Sequence, residues 1–194
     1  MDILRVFGIS SLVVNIISII PYYRDIFRNK TKPERATWFL WAFLGVILFF
    51  TNLAEGAQES LWFASTQVVI PVSIFLLSFR YGVGGFERRD KIALTAALAA
   101  LVLWYLTDNA VVALGLALLI DAAGLVLTWI KTWKAPETET LFSWALLLLV
   151  GPLAMLSVGE LDYVLLAFPT YISMVGLSMT GIIVYRRKVL EKSS

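Results

Sequence analysis

The sequence predicts an all-α integral membrane protein with seven transmembrane helices. Three observations carry this. First, 59% of the 194 residues are hydrophobic and the mean hydropathy is +0.82, whereas soluble domains are about 45–50% apolar. Second, apolar runs close to the ~20 residues that a bilayer core requires recur seven times along the chain. Third, 15 of the 16 basic residues fall in alternate connecting segments.

The runs cover about 3–22, 37–55, 60–80, 91–107, 109–131, 141–158 and 163–185. Helix is the default, because a lipid-exposed open strand would leave backbone groups unpaired. The first run has no basic leader and no clear A-x-A site, so it reads as a span, not a cleavable signal. Pro21 closes it, and a basic loop follows. The second opens on Trp38 and Trp41, and the third contains Pro71. The fourth is short and meets the fifth at a tight turn over Thr107, Asp108 and Asn109. The fifth carries Asp121, the short sixth carries Trp144 and Pro152, and the seventh contains Pro169. The run RYGVGG, residues 80–85, lacks the Lys-Ser/Thr of a phosphate loop and reads as a flexible turn before Asp90.

With seven spans, four cationic segments share one side. They are 22–36 (Arg24, Arg28, Lys30, Lys32, Arg35), 80–91 (Arg80, Arg88, Arg89, Lys91), 131–140 (Lys131, Lys134) and the tail (Arg186, Arg187, Lys188, Lys192). The opposite side receives Arg5 with Glu55, Glu59, Asp108, Glu160 and Asp162. The positive-inside pattern then puts the N-terminus outside and the C-terminus in the cytoplasm. The basic tail is expected to contact anionic headgroups.

The chain also repeats itself. At an offset of 106 residues Asn15 falls on Asp121, Ser18 on Gly124, Pro21 on Leu127 and Tyr22 on Thr128. After a three-residue deletion, at 103, Pro33 matches Pro136, Glu34 matches Glu137, Thr37 matches Thr140 and Trp41 matches Trp144. At 98, Pro71 matches Pro169. Spans 1–3 therefore resemble spans 5–7. A three-helix unit ends on the side opposite its start, so the fourth span restores orientation and makes the repeats parallel. The expected organisation is a first bundle over 1–80, a loop and linker helix over 81–108, a second bundle over 109–186 and a basic tail over 187–194.

This 3+1+3 plan, with Pro21-Tyr22 and Leu127-Thr128 near the ends of the first helix of each repeat, resembles the SWEET and PQ-loop transporter superfamily. The glutamine of the motif is absent from both copies and the proline from the second. The resemblance implies a carrier for a small polar solute, such as a sugar, that alternates access between two three-helix repeats. A proton-coupled amino-acid carrier is an alternative, as is a non-transporting receptor or assembly subunit of the same fold.

Gly8, Ser11, Asn15, Ser18 and Tyr22 lie on one face of the first helix. Leu114, Ala117, Asp121, Gly124 and Thr128 form the equivalent line on the fifth. Such stripes either line a route or let helices pack closely, with hydroxyls bonding across. Asp121 lies about a dozen residues from either end of its span, or ~18 Å at about 1.5 Å per residue. Aspartate at a helix centre costs about 2.5–3.5 kcal/mol to insert, so it usually faces a cavity. It is the expected substrate or proton site, with Asn15 opposite; protonated Asp121 bonded to Asn15 as a staple is the structural alternative. Trp38 suits an interfacial belt. Trp41 and Trp144 form either that belt or an inner gate. Pro21, Pro71 and Pro169 are hinges or plain kinks.

Cysteine and histidine are both absent. This removes thiolate and imidazole chemistry, and no metal, cofactor or catalytic residue is expected. An enzyme is not expected on one deep carboxylate. A retinal protein needs a lysine in the last span, and none lies between Asp162 and Tyr185. The expected partners are a small-molecule solute and the lipid bilayer. Nucleic acid is not expected, and the chain is open to homo-oligomerisation. The expected location is the plasma (inner) membrane of a bacterium.

Overall fold

The computed structural model describes residues 3–54, 61–85, 87–107 and 109–193. Among them are seven α-helices: α1 (Ile3–Phe27), α2 (Arg35–Ala54), α3 (Leu61–Tyr81), α4 (Arg88–Tyr105), α5 (Ala110–Lys134), α6 (Leu141–Val158) and α7 (Tyr163–Ser193). Each apolar run of the sequence has become one helix. By length and composition, four are able to cross a membrane: Ile3–Phe27, Val111–Lys134, Leu141–Val158 and Tyr163–Lys192. The shorter segments Arg35–Ile47 and Gln67–Tyr81 are also apolar helix. Of the acidic residues assigned to the non-basic side, Glu55, Glu59 and Asp108 lie outside the described residues.

Helices α1 and α7 outrun their sequence boundaries the most. Helix α1 continues beyond Pro21 to Phe27, because an internal proline removes only one backbone donor while the turns on either side remain intact. The chain then reverses at Asn29, whose φ of 57° is tolerated by asparagine. Asp25 O receives the amides of Lys30 and Thr31 there. Helix α7 runs through Arg186, Arg187 and Lys188 to Ser193, so the basic tail is helical. Other ends are fixed by side chains. Asn109 Oδ1 accepts the amides of Val111 and Val112 to start α5, and Asp162 Oδ1 accepts those of Val164 and Leu165 to start α7. Both satisfy amides that a helix start leaves open.

The chain folds as two compact units, Met1–Thr31 with Lys131–Ser194, and Lys32–Ile130. These differ from the consecutive bundles expected over 1–80 and 109–186. Helix α1 packs on α6, and α6 on α7; α2 and α3 share the other unit with α4 and most of α5. The first helix of each repeat thus joins the second and third helices of the other repeat. The linker helix α4 is part of a core, where Ala97 and Ala100 meet Leu40 and Leu44 of α2 and Ile120 of α5.

Glycine and proline come together at two close helix contacts. Pro71 cannot donate to Gln67 O one turn earlier, and Gly45 of α2 is seated directly on that carbonyl. In the other unit, Gly151 of α6 is seated on Pro169 and Ser173 of α7. The repeat-equivalent prolines therefore both lie at or within one turn of a glycine contact. Without a hydrophobic drive between helices in lipid, such small-residue packing holds them together.

Gly151→Val should lower stability by about 1–3 kcal/mol, the usual cost of overpacking. Gly115→Val, at a position with open space around it, should change stability little. Thermal unfolding of both variants in detergent checks the contrast.

Candidate functional site

In the unit built on α2–α5, the second helix of repeat one recognises the first helix of repeat two through its backbone. Trp41 Nε1 donates to the carbonyl of Asp121 at 3.2 Å. Thr37 Oγ1 donates to the carbonyl of Gly124 at 2.6 Å, and receives the Thr128 hydroxyl at 3.0 Å. A Cβ on Gly124 would stand 3.0 Å from Trp41 Nε1, so the missing side chain makes room for the indole. Asp121 itself is half-buried, with its backbone fixed beneath Trp41.

In the unit built on α1, α6 and α7, repeat-equivalent residues meet with different chemistry. Trp144 lies edge-on to Tyr22, with ring centroids 6.5 Å apart. Its Nε1 donates to Glu139 Oε2 at 2.8 Å, not to a helix carbonyl. The other Glu139 oxygen takes Lys131 in a buried ion pair. Thr140 shares a hydrogen bond with Thr31 at 2.5 Å and donates to Asp25 Oδ2 at 3.1 Å. Arg187 closes the cluster from α7, donating to the carbonyls of Pro136 and Glu139.

The polar stripes are spent largely on packing. Ser11 donates across to the carbonyl of Val150 on α6 at 2.9 Å. Ser18 donates to Asn15 O within its own helix. Gly8 faces Ser157 of α6. On α5, Ala117 borders the hydrophobic core, and Thr128 and Gly124 face α2. Asn15, half-buried, belongs to one unit and Asp121 to the other. Pro21, Pro71 and Pro169 all lie inside helices. A cleft of about 560 Å³ lined by Ile47, Leu101, Val102, Trp104 and Tyr105 contains none of the candidate residues.

Two expectations need correction. Trp38 is only 6% exposed and packs edge-on against Trp41 at 5.0 Å, so it is an interior residue, not a member of a belt. The RYGVGG turn is pinned, not flexible: Asp90 Oδ2 accepts the amides of Gly85 and Glu87, and Arg35 donates to Gly84 O. In the tail, Arg187 donates to loop carbonyls and Arg186 to Trp133 O, with its guanidinium 4.8 Å from the Trp133 ring, while Lys188 and Lys192 are exposed.

Sequence reasoning gave no site role to Thr37, Thr140, Lys131 or Glu139. The repeat did single out Thr37 and Thr140. Lys131 was hidden among the loop cations, and Glu139 has no equivalent in the aligned pattern. Comparison of the chain with family models, characterised proteins and solved structures finds no match.

Lys131→Met alone should cost about 3–5 kcal/mol, because it leaves a buried carboxylate without its cation. Adding Glu139→Gln should recover most of that loss, since the amide oxygen still accepts from Trp144. Denaturant unfolding of the two variants decides it.

Proposed function

We propose that the chain is a seven-span carrier for a small polar solute, a sugar or similar neutral molecule, working by alternating access between its two three-helix repeats as SWEET and PQ-loop proteins do. The observation that carries this is the paired placement of Trp41 and Trp144. Each comes from the second helix of its repeat and is held next to the first helix of the other repeat, Trp41 at the Asp121 carbonyl and Trp144 at Tyr22, about two turns apart in the aligned pattern. Two indoles anchored in this way suit a pair of inner gates. The predicted cytoplasmic segments give further support. One unit gathers 33–35 with 78–90, and the other gathers 24–31 with 131–140 and 186–187. That is how the basic side of a 3+1+3 protein would be closed.

Asp121 is the group we assign to solute or proton binding, with Asn15 as its repeat counterpart on α1. The Trp41 bond to the Asp121 carbonyl links the gate to this position. An indole that swings away releases the very turn of α5 that carries the carboxyl.

Reconstitution into proteoliposomes, with uptake of sugars, amino acids and small organic acids read by mass spectrometry, tests the reading. Uptake of one class above empty vesicles is the expected result, and no uptake from folded protein overturns it in favour of a receptor or assembly subunit. Asp121→Asn should lower uptake roughly tenfold or more, equivalent to losing a contact of about 1.4 kcal/mol, and should remove any dependence on a proton gradient. Unchanged uptake in that variant removes Asp121 from the mechanism.

A further inference from the structure

The junction of the α1–α2 loop with the α3–α4 turn holds two buried carboxyl groups, Glu34 and Asp90. Glu34 is fully buried at the start of α2. Its Oε2 accepts the amide of Thr37 at 3.1 Å, as an N-terminal carboxylate should. Its Oε1 is buried as well, yet has no hydrogen-bond partner among the described residues. The nearest cation, Arg89 Nη2, is 3.9 Å away. That arginine is shared: its Nε lies 3.1 Å from Glu87 and 3.4 Å from Asp90. Asp90 is fully buried too, with Oδ2 engaged by the amides of Gly85 and Glu87. Arg35, the second cation, is turned to the carbonyls of Gly84 and Ser78, over the Phe79 ring. The buried Glu34 and Asp90 thus share Arg89 with the exposed Glu87, while Arg35 is spent on backbone carbonyls.

The same residues form a mechanical joint. Val83 N donates to Pro33 O and Arg35 N donates to Val83 O, both at 2.9 Å, so the two connections are paired like short strands on either side of Glu34. Gly84, at a φ of 73°, lies against the Glu34 carboxyl, where any Cβ would fall on Oε1.

We propose that Glu34 is a proton-binding site built into this joint, and that losing the proton loosens the pairing of residues 33–35 with residue 83. A carboxylic acid at Glu34 keeps the Thr37 cap, removes a buried charge whose cation is shared and 3.9 Å away, and supplies a donor that a carboxylate lacks. Burial pushes the Glu34 carboxyl above the ordinary glutamate range, and nearby Asp90 adds to this against the lowering by the Thr37 and Ala36 amides and by Arg89. A carboxyl raised in the folded state favours folding most at low pH. That contribution is lost as pH rises through the folded-state value. The inference does not depend on what the protein carries.

Infrared difference spectra of the full chain in lipid nanodiscs, stepped in pH, test it. A protonated-carboxyl band should persist above the range where exposed glutamates ionise, and should vanish in Glu34→Gln. Arg89→Gln, which removes the nearest cation, should move the midpoint of that band to higher pH, and tests the assignment even if Glu34→Gln fails to fold. Amide exchange at Val83 and Arg35 should lose protection above the midpoint in the native chain. A band unaffected by Glu34→Gln, a midpoint unmoved by Arg89→Gln, or protection that is constant across the titration would each overturn the proposal.

Discussion

A helix carbonyl that already accepts its own helical bond retains a second lone pair, and this protein joins helices through it. Ser11 reaches Val150 O, Thr37 reaches Gly124 O and Trp41 reaches Asp121 O. In an apolar medium, water does not satisfy a hydroxyl or an indole N–H, and an unmet donor costs several kcal/mol. The neighbouring helix backbone is an acceptor available at every turn. Such bonds require close approach, and the small residues supply it. Gly124 admits the indole, Gly45 rests on Gln67 O, and Gly151 rests on Pro169 and Ser173. Sequence position, hydrogen bonding and helix separation are therefore one constraint, not three.

The two repeats meet this constraint unequally. Trp41 is anchored on a neutral carbonyl, Trp144 on a carboxylate that is itself neutralised by Lys131. Glu139 has both oxygens engaged, while Glu34 leaves one without a partner among the described residues. Pro33 O and its repeat equivalent Pro136 O are both capped, the first by a backbone amide from beyond α3 and the second by the Arg187 side chain of α7. Equivalent architecture has been kept while the chemistry at each joint has diverged. One joint pairs its buried carboxylate with a lysine, and the other leaves a buried carboxyl oxygen without a partner among the described residues.

The helices were legible because run length and apolar content report directly on what a bilayer accepts. Their grouping was not. An apolar helix surface encodes depth in the membrane but not the identity of its neighbour, and the stripe of Gly8, Ser11, Asn15 and Ser18 marks the packing face of α1 without saying whether α6 or α2 receives it. The repeat did expose Thr37, Trp41, Thr140 and Trp144, but the pattern holds only residue identities, and Trp41 and Trp144 reach different acceptors. Lys131 reads as one more basic loop residue until burial separates it from Lys134, which is exposed. Trp38 and Trp41 carry the same label at the end of one helix, and only packing shows that Trp38 points inward. The alternation of loop charge, by contrast, depends on counting alone and does not require knowing any neighbour.

The exchange of first helices has a consequence for how the protein is made. Helix α1 ends at Phe27, but α6, on which it packs, begins only at Leu141. During synthesis α1 enters the membrane well before its partner exists, while α2–α5 can assemble into their own unit in the meantime. Closing contacts over such a sequence separation is intrinsically slow. The nascent chain must therefore hold α1 as an independent span, and its exposed isoleucines, Ile9, Ile16, Ile17 and Ile20, are suited to lipid during the wait. Assembly would then start within α2–α5, and α1, made before them, would be among the last of these helices to find its place.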